Sequence, residues 1–160
     1  MTIAIGDTLP AATLVKMTAD GPEKVETQSY FAGKRVALFS VPGAFTPTCT
    51  ARHLPGFVEK AAALKAKGID EIVGTAVNDA FVLAAWGQAG NAGDTVTLLA
   101  DGNADFVKAM GLDMDASPYG MGTRGKRFAM VVNDGKVEKL FVEAPGEFKV
   151  SSADYMLAEL

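Results

Sequence analysis

Cys49 is the only thiol of the chain, and it stands three residues after Thr46 in the run Pro42-Gly-Ala-Phe-Thr-Pro-Thr-Cys49. A lone cysteine is ordinarily a small buried hydrophobe. The residues before it argue otherwise. Thr46-Pro47 reads as a helix start, a hydroxyl N-cap followed by proline at the first helical position. Cys49 then falls at the third helical position, just past a strand end, where free N–H groups and the positive end of the helix dipole favour an anion. A free thiol has a pKa of ~8.5, so little of it is thiolate near neutrality; lowering that value to ~6 makes nearly all of it the nucleophile. Strand-to-helix junctions of α/β sheets also open onto ligand-binding crevices, so the sulfur is expected to be reachable at the mouth of a pocket. The spacing points to reactive-cysteine chemistry.

A thiolate needs a cation beside it. Arg124, Lys126 and Arg127 cluster ahead of the apolar run Phe128-Ala-Met-Val-Val132. Arg124 and Lys126 read as a solvated loop. Arg127 opens a strand and by alternation shares a face with Ala129 and Val131, which carries its guanidinium to the crevice. Other constellations are weaker. His53, one turn after Cys49, raises a Cys-His hydrolase, but Pro55 disturbs the geometry and no third group to orient the imidazole is legible; a packing or hydrogen-bonding role is preferred. One Cys and one His are too few for a zinc site. Gly120-Met-Gly-Thr-Arg-Gly-Lys126 approximates a phosphate-binding loop, yet Arg127 stands where the Mg²⁺-holding hydroxyl belongs and a strand follows instead of a helix. It reads as a flexible glycine-rich connection. Trp86 is placed in the core or at an interface.

The elements that must position these residues follow from pattern. Turn signals at Gly6-Asp7, Pro10 and Asp20-Gly-Pro22 break the first thirty residues into short strands and loops. Arg35–Val41 is a buried strand ending at Pro42-Gly43. A helix runs from Thr46 to Gly68, with Leu54, Phe57, Val58, Ala61 and Lys65 at helical spacing and a kink expected at Pro55. Glu71–Val77 and Thr95–Leu99 are strands. Asn78-Asp79 caps a helix to about Ala89, and a short helix covers about Ala104 to Met110. Arg127–Val132 and Lys136–Val142 form a hairpin through Asn133-Asp-Gly135. Ser151-Ser152 caps a last helix. This order predicts an α/β fold with a mixed central sheet flanked by helices, in one domain over 1–160.

Composition agrees and excludes other classes. The chain has 160 residues, 49% apolar and 21% charged, with a formal net charge of −4. Such a chain is not disordered, and one cysteine cannot pair within it. No apolar run approaches a membrane span, no export signal is legible, and a pI near 5.0 argues against nucleic-acid binding. A cytoplasmic location is expected, with no membrane or nucleic-acid partner.

The active-site run resembles the P-x-x-x-[T/S]-x-x-C motif of the peroxiredoxins. Val41-Pro-Gly-Ala-Phe-Thr-Pro-Thr-Cys49 with His53-Leu-Pro-Gly-Phe57 is similar to the type-V or type-II subgroup, the redoxins. The similarity continues through Ala76–Phe81, Trp86-Gly87, Leu98-Leu-Ala-Asp101 and Lys126-Arg-Phe-Ala-Met-Val-Val132, and so covers nearly the whole chain. The resemblance implies a thioredoxin-like fold, with an N-terminal strand extension, and a thiol peroxidase that binds no metal or organic cofactor. It implies Cys49 as the peroxidatic cysteine, Thr46 as the hydroxyl that hydrogen-bonds peroxide, Pro42 as the shield of the thiolate and Arg127 as the activating arginine. Backbone N–H groups of Thr48 and Cys49 would complete the substrate pocket. It also suggests a homodimer packed near the active-site loops, where Phe45, Phe81 and Trp86 are large apolar residues.

One departure matters. Many relatives carry a resolving cysteine, some in the strand after the first helix, where this chain has Gly74, and others near the C-terminus, around Val150 and Ser151 here. Neither position holds a thiol. The expectation is therefore a one-cysteine variant whose Cys49 sulfenic acid, formed from hydrogen peroxide or an alkyl hydroperoxide, is reduced by an external thiol. Glutathione with glutaredoxin is the favoured donor and thioredoxin the competitor. The alternative is a peroxide-sensing or redox-regulatory protein that uses the same cysteine without efficient turnover.

Overall fold

The computed structural model describes residues 1–160. Two short strands, β1 (Thr13–Thr18) and β2 (Gly21–Glu26), pair antiparallel and lead into a single helical turn, α1 (Thr27–Tyr30). β3 (Arg35–Ser40) lies inside the sheet, and five of its residues, Val36 to Ser40, are completely buried. A strand covered on both faces appears in sequence as an unbroken apolar run, which is the character of Val36-Ala-Leu-Phe39.

The helical segment after β3 contains a π-turn (Cys49–His53), α2 (Leu54–Glu59) and α3 (Ala61–Ala66). Then come β4 (Glu71–Ala76), α4 (Ala80–Ala89), β5 (Thr97–Ala100) and α5 (Asp105–Met110). A small ribbon, β6 (Asp113–Asp115) with β7 (Thr123–Gly125), precedes the hairpin β8 (Phe128–Asn133) and β9 (Lys136–Val142) and the final α6 (Ala153–Glu159). The main sheet has seven strands in the order β2-β1-β5-β4-β3-β8-β9. β3, β4 and β5 run parallel, while β1 and β8 join them antiparallel. This is the mixed, helix-flanked, thioredoxin-like sheet, with β1 and β2 as its N-terminal extension.

Alternation on β3 divides the core. Ala37 and Phe39 face a layer containing Leu54, Phe57, Leu64, Leu83, Trp86 and Met156, from α2, α3, α4 and α6. Val36 and Leu38 face Phe106, Val107 and Met110 of α5 together with Leu9 and Phe31. Each fully buried Leu or Phe contributes roughly 2 kcal/mol relative to an exposed one. No helix is long and apolar enough to cross a membrane.

Two local expectations change. The expected continuous helix to Gly68 instead widens at Cys49–His53, where the Leu54 N–H bonds the Cys49 carbonyl five residues back, and it breaks again at Lys60 (φ −94°, ψ 7°). The wide turn leaves Pro55 in the first turn of α2, where a missing N–H costs nothing, so the disturbance lies before the proline. The glycine-rich connection is also more ordered than expected. Gly120 and Gly122 adopt φ of 70° and 67°, reversing the chain so that Thr123–Gly125 pairs with Asp113–Asp115. A strand reading Asp-Met-Asp has no apolar periodicity to announce it.

Candidate active site

β3 hands over to a tight loop. Ala44 N–H donates to Asn78 Oδ1 at 2.9 Å, which ties the loop to the β4–α4 junction, while Asp79 caps α4 by accepting from Val82 N–H at 2.8 Å. Phe45 turns the chain at φ 65°, a strained value for an aromatic residue, and points outward with 52% exposure. The loop thereby returns Thr46 over Gly43, whose carbonyl accepts from Thr46 N–H at 3.4 Å and from Thr46 Oγ1 at 2.7 Å. Helical backbone begins at Pro47, and Cys49 is its third residue as expected.

Thr46 does not cap that helix with its side chain. Its hydroxyl faces the sulfur instead, with Oγ1 2.9 Å from Cys49 Sγ. A hydroxyl has one proton, so its direction follows the charge on sulfur. A thiol donates to Oγ1 while the hydroxyl donates to Gly43; a thiolate accepts the hydroxyl proton itself.

Arg127 arrives from across the sheet. β8 pairs antiparallel with β3, with Phe128 opposite Ser40, so the residue before β8 lies beside the loop after β3. Ala129 and Val131 lie in the same core layer as Cys49, which is the face inferred for Arg127. The guanidinium donates from Nη2 to Cys49 Sγ at 3.0 Å. A hydrogen bond donated by a charged group is among the stronger ones, about 1.5–3 kcal/mol.

The other arm of Arg127 meets His53. Nη1 lies 2.8 Å from Nδ1, while Nε2 lies 2.9 Å from the Ser151 carbonyl. His53 is completely buried, packed on Phe39 at 5.0 Å and Phe148 at 4.9 Å between ring centres. Burial, reinforced by the Arg127 charge and opposed by the Ser151 bond, lowers its pKa to about 3. The imidazole is therefore neutral and gives its Nδ1 lone pair to Arg127. A Cys-His hydrolase needs that lone pair free to take the thiol proton, and here it is occupied.

The remaining expected residues fall nearby. Pro42 is half-buried, and Thr48 (φ −67°, ψ −39°) directly precedes Cys49. Arg124 is not the solvated residue expected. It is half-buried, donating from Nε to the Met121 carbonyl at 2.9 Å and from Nη1 to the Pro42 carbonyl at 3.4 Å. The β6–β7 ribbon, invisible in the sequence pattern, is what carries it there. Trp86 is core: it is 1% exposed and donates from Nε1 to Thr50 Oγ1 at 3.1 Å.

The sulfur lies deeper than expected. Cys49 has no exposed surface, because the half-buried Thr46 and Arg127 occupy its polar side and the Phe39–Phe57 layer its apolar side. It is not entombed among aliphatic groups, since two polar donors reach it.

The redoxin family profile matches residues 4–157. Peroxiredoxin-2B of Arabidopsis thaliana is 46% identical over 159 residues, spanning 99% of this chain and 98% of that protein. The chloroplastic Peroxiredoxin-2E-2 of Oryza sativa subsp. japonica is 50% identical over 164 residues, spanning 99% of this chain and 73% of that protein. The crystal structure of reduced Prx3 from Vibrio vulnificus in complex with H₂O₂ superposes with a TM-score of 0.95, at 51% identity and 99% coverage of each chain.

Proposed function

Because the chain belongs to the redoxin family and is a peroxiredoxin, a thiol peroxidase, we propose that it reduces hydrogen peroxide and alkyl hydroperoxides through a sulfenic acid on Cys49. The observation that carries this reading is the convergence of Thr46 Oγ1 and Arg127 Nη2 on Cys49 Sγ, at 2.9 and 3.0 Å. The thiolate attacks one peroxide oxygen along the O–O axis. A sulfur–oxygen bond forms, the O–O bond breaks, and the departing oxygen takes a proton to leave as water or an alcohol. Negative charge grows on that oxygen, and the donors around the sulfur stabilise it. Thiolate character alone does not give speed, since nucleophilicity falls with basicity. The pocket is completed by Pro42 and by the backbone N–H groups of Thr48 and Cys49. The cycle uses no metal or bound organic cofactor.

The second half-reaction is intermolecular in this reading, because Cys49 is the one thiol. Glutathione attacks the sulfenic acid, releasing water and leaving a mixed disulfide, which glutaredoxin or a second glutathione reduces. Thioredoxin is the competing donor. The compartment proposed is the cytoplasm, where glutathione is kept reduced. A homodimer is proposed through the active-site face, where Phe45 and Phe81 are 52% and 68% exposed. Trp86, being buried, does not contribute to it.

Steady-state peroxide consumption with each donor in turn tests the reading. Turnover with glutathione and glutaredoxin, abolished by Cys49→Ser, is expected. A single stoichiometric reaction that stops with every reductant present would point to the sensor alternative, and full activity with thioredoxin alone would overturn the donor preference.

A further inference from the structure

Glu143 is a buried carboxylate that the reaction does not use. It is 8% exposed, and no Lys, Arg or His lies within ion-pair distance of it. An ionised group so placed must be hydrogen-bonded to be tolerated. One oxygen, Oε2, accepts from Lys149 N–H at 2.7 Å, Ser151 N–H at 2.8 Å and Ser151 Oγ at 2.7 Å. These donors keep the carboxyl below its ordinary range although burial pushes the other way. Glu143 also donates its own N–H to the Arg127 carbonyl at 3.0 Å. One residue thus grips the backbone of Arg127 and the segment 149–151.

That segment sets the imidazole. A neutral histidine has one N–H donor and one acceptor nitrogen, and its tautomer is chosen by its partners. The Ser151 carbonyl can only accept, and the Arg127 guanidinium can only donate. The two contacts are satisfied together only with the proton on Nε2 and the lone pair on Nδ1. If the Ser151 carbonyl moves away, the Nε2 proton loses its acceptor and the ring is held on one side only, by the Arg127 donor. The imidazole can then turn away from the guanidinium and exchange tautomers, so that Nη1 loses its acceptor and Nη2 its aim at Cys49.

We infer that Glu143 is a positioning residue for Arg127, acting through Ser151 by locking the tautomer of His53. This rests on the peroxidase reading for its kinetic consequence, but the tautomer lock stands on the geometry alone. The alternative is that Glu143 only fastens the chain ahead of α6, in which case the imidazole and the reaction would be indifferent to it.

The chain has one histidine, so ¹⁵N imidazole resonances report on His53 without ambiguity. The experiment compares the wild-type protein with Glu143→Ala and Glu143→Gln, reading those resonances and the stopped-flow rate constant for hydrogen peroxide. The wild type is expected to show the single Nε2–H tautomer. E143A is expected to show mixed tautomers and at least a tenfold slower reaction, with its far-UV spectrum and cooperative unfolding retained. E143Q is expected between the two, since its amide oxygen can accept where the carboxylate did. A wild-type tautomer in folded E143A, or a rate within twofold of wild type, overturns the inference. Should E143A fail to fold, E143Q decides: wild-type values of both readouts overturn it. A wild type that ignores peroxide would defeat the functional reading, leaving the resonances to judge the lock.

Discussion

A Cβ at Gly74 would stand 2.7 Å from Cζ of Phe39, the ring that stacks on Phe57 at 4.4 Å and packs against His53 at 5.0 Å. Leu98 Cδ2 closes the other side at 2.8 Å. One of the two places where the family resemblance puts a second thiol is thus filled by the aromatic layer that surrounds the imidazole.

Gly74→Cys is therefore expected to destabilise the fold by about 1–3 kcal/mol through overpacking, without creating a fast internal disulfide. Urea unfolding and thiol counting after one equivalent of peroxide check this. A wild-type midpoint with rapid loss of both thiols would refute it.

Arg127→Ala removes the donor at 3.0 Å from Cys49 Sγ and leaves His53 Nδ1 without its partner. Loss of one preorganised donor typically costs on the order of 10²–10³ in rate. Stopped-flow reaction with hydrogen peroxide should show a decrease of that size. Arg127→Lys should recover only part of it, because one ammonium cannot serve sulfur and imidazole with the fixed fork of a guanidinium.

Thr46 separates hydroxyl from methyl. Thr46→Ser keeps the donor and is expected to stay within a few-fold of wild type, whereas Thr46→Val keeps the shape and is expected to lose about tenfold or more, the value of roughly one hydrogen bond to a charged atom. Equal rates for the two variants would remove the hydroxyl from the reaction.

His53 predicts a pH dependence of stability. Its pKa falls from 6.5 in the unfolded chain to about 3 in the fold, so below pH 6.5 the unfolded state binds a proton that the native state refuses. Stability therefore decreases as pH falls from 6.5 toward 3, with a slope approaching ~1.4 kcal/mol per pH unit. Urea midpoints between pH 6.5 and 5, above the range where carboxylates titrate, should show the slope, and His53→Gln should flatten it. An unchanged slope in His53→Gln would assign it to other groups.

Much of the site was legible because its parts are local. Thr46-Pro47 marks a helix start from side-chain type alone, and Cys49 three residues on follows by counting. The run Arg127–Val131 shows by alternation which face carries the guanidinium. Arg124 was not legible, because its place depends on a ribbon whose β6 strand is two aspartates around a methionine. His53 was half legible: its spacing from Cys49 is visible, but its partner Ser151 lies 98 positions away. Glu143 gave no signal, since a glutamate just past the end of a strand is usually solvated.

By itself, then, the sequence marked β3, β4, β5, the β8–β9 hairpin and the helices α4, α5 and α6, the candidate nucleophile Cys49 and the absence of a second thiol in this chain, because each depends on residue types within a short window. Tertiary structure decided what surrounds the sulfur. Arg127 reaches Cys49 across 78 positions only because β8 pairs with β3 in the register that sets Phe128 against Ser40. Burial then removed water from His53 and left its lone pair to the guanidinium. Contacts of that range are fixed by strand register and packing, which no local window of residues encodes.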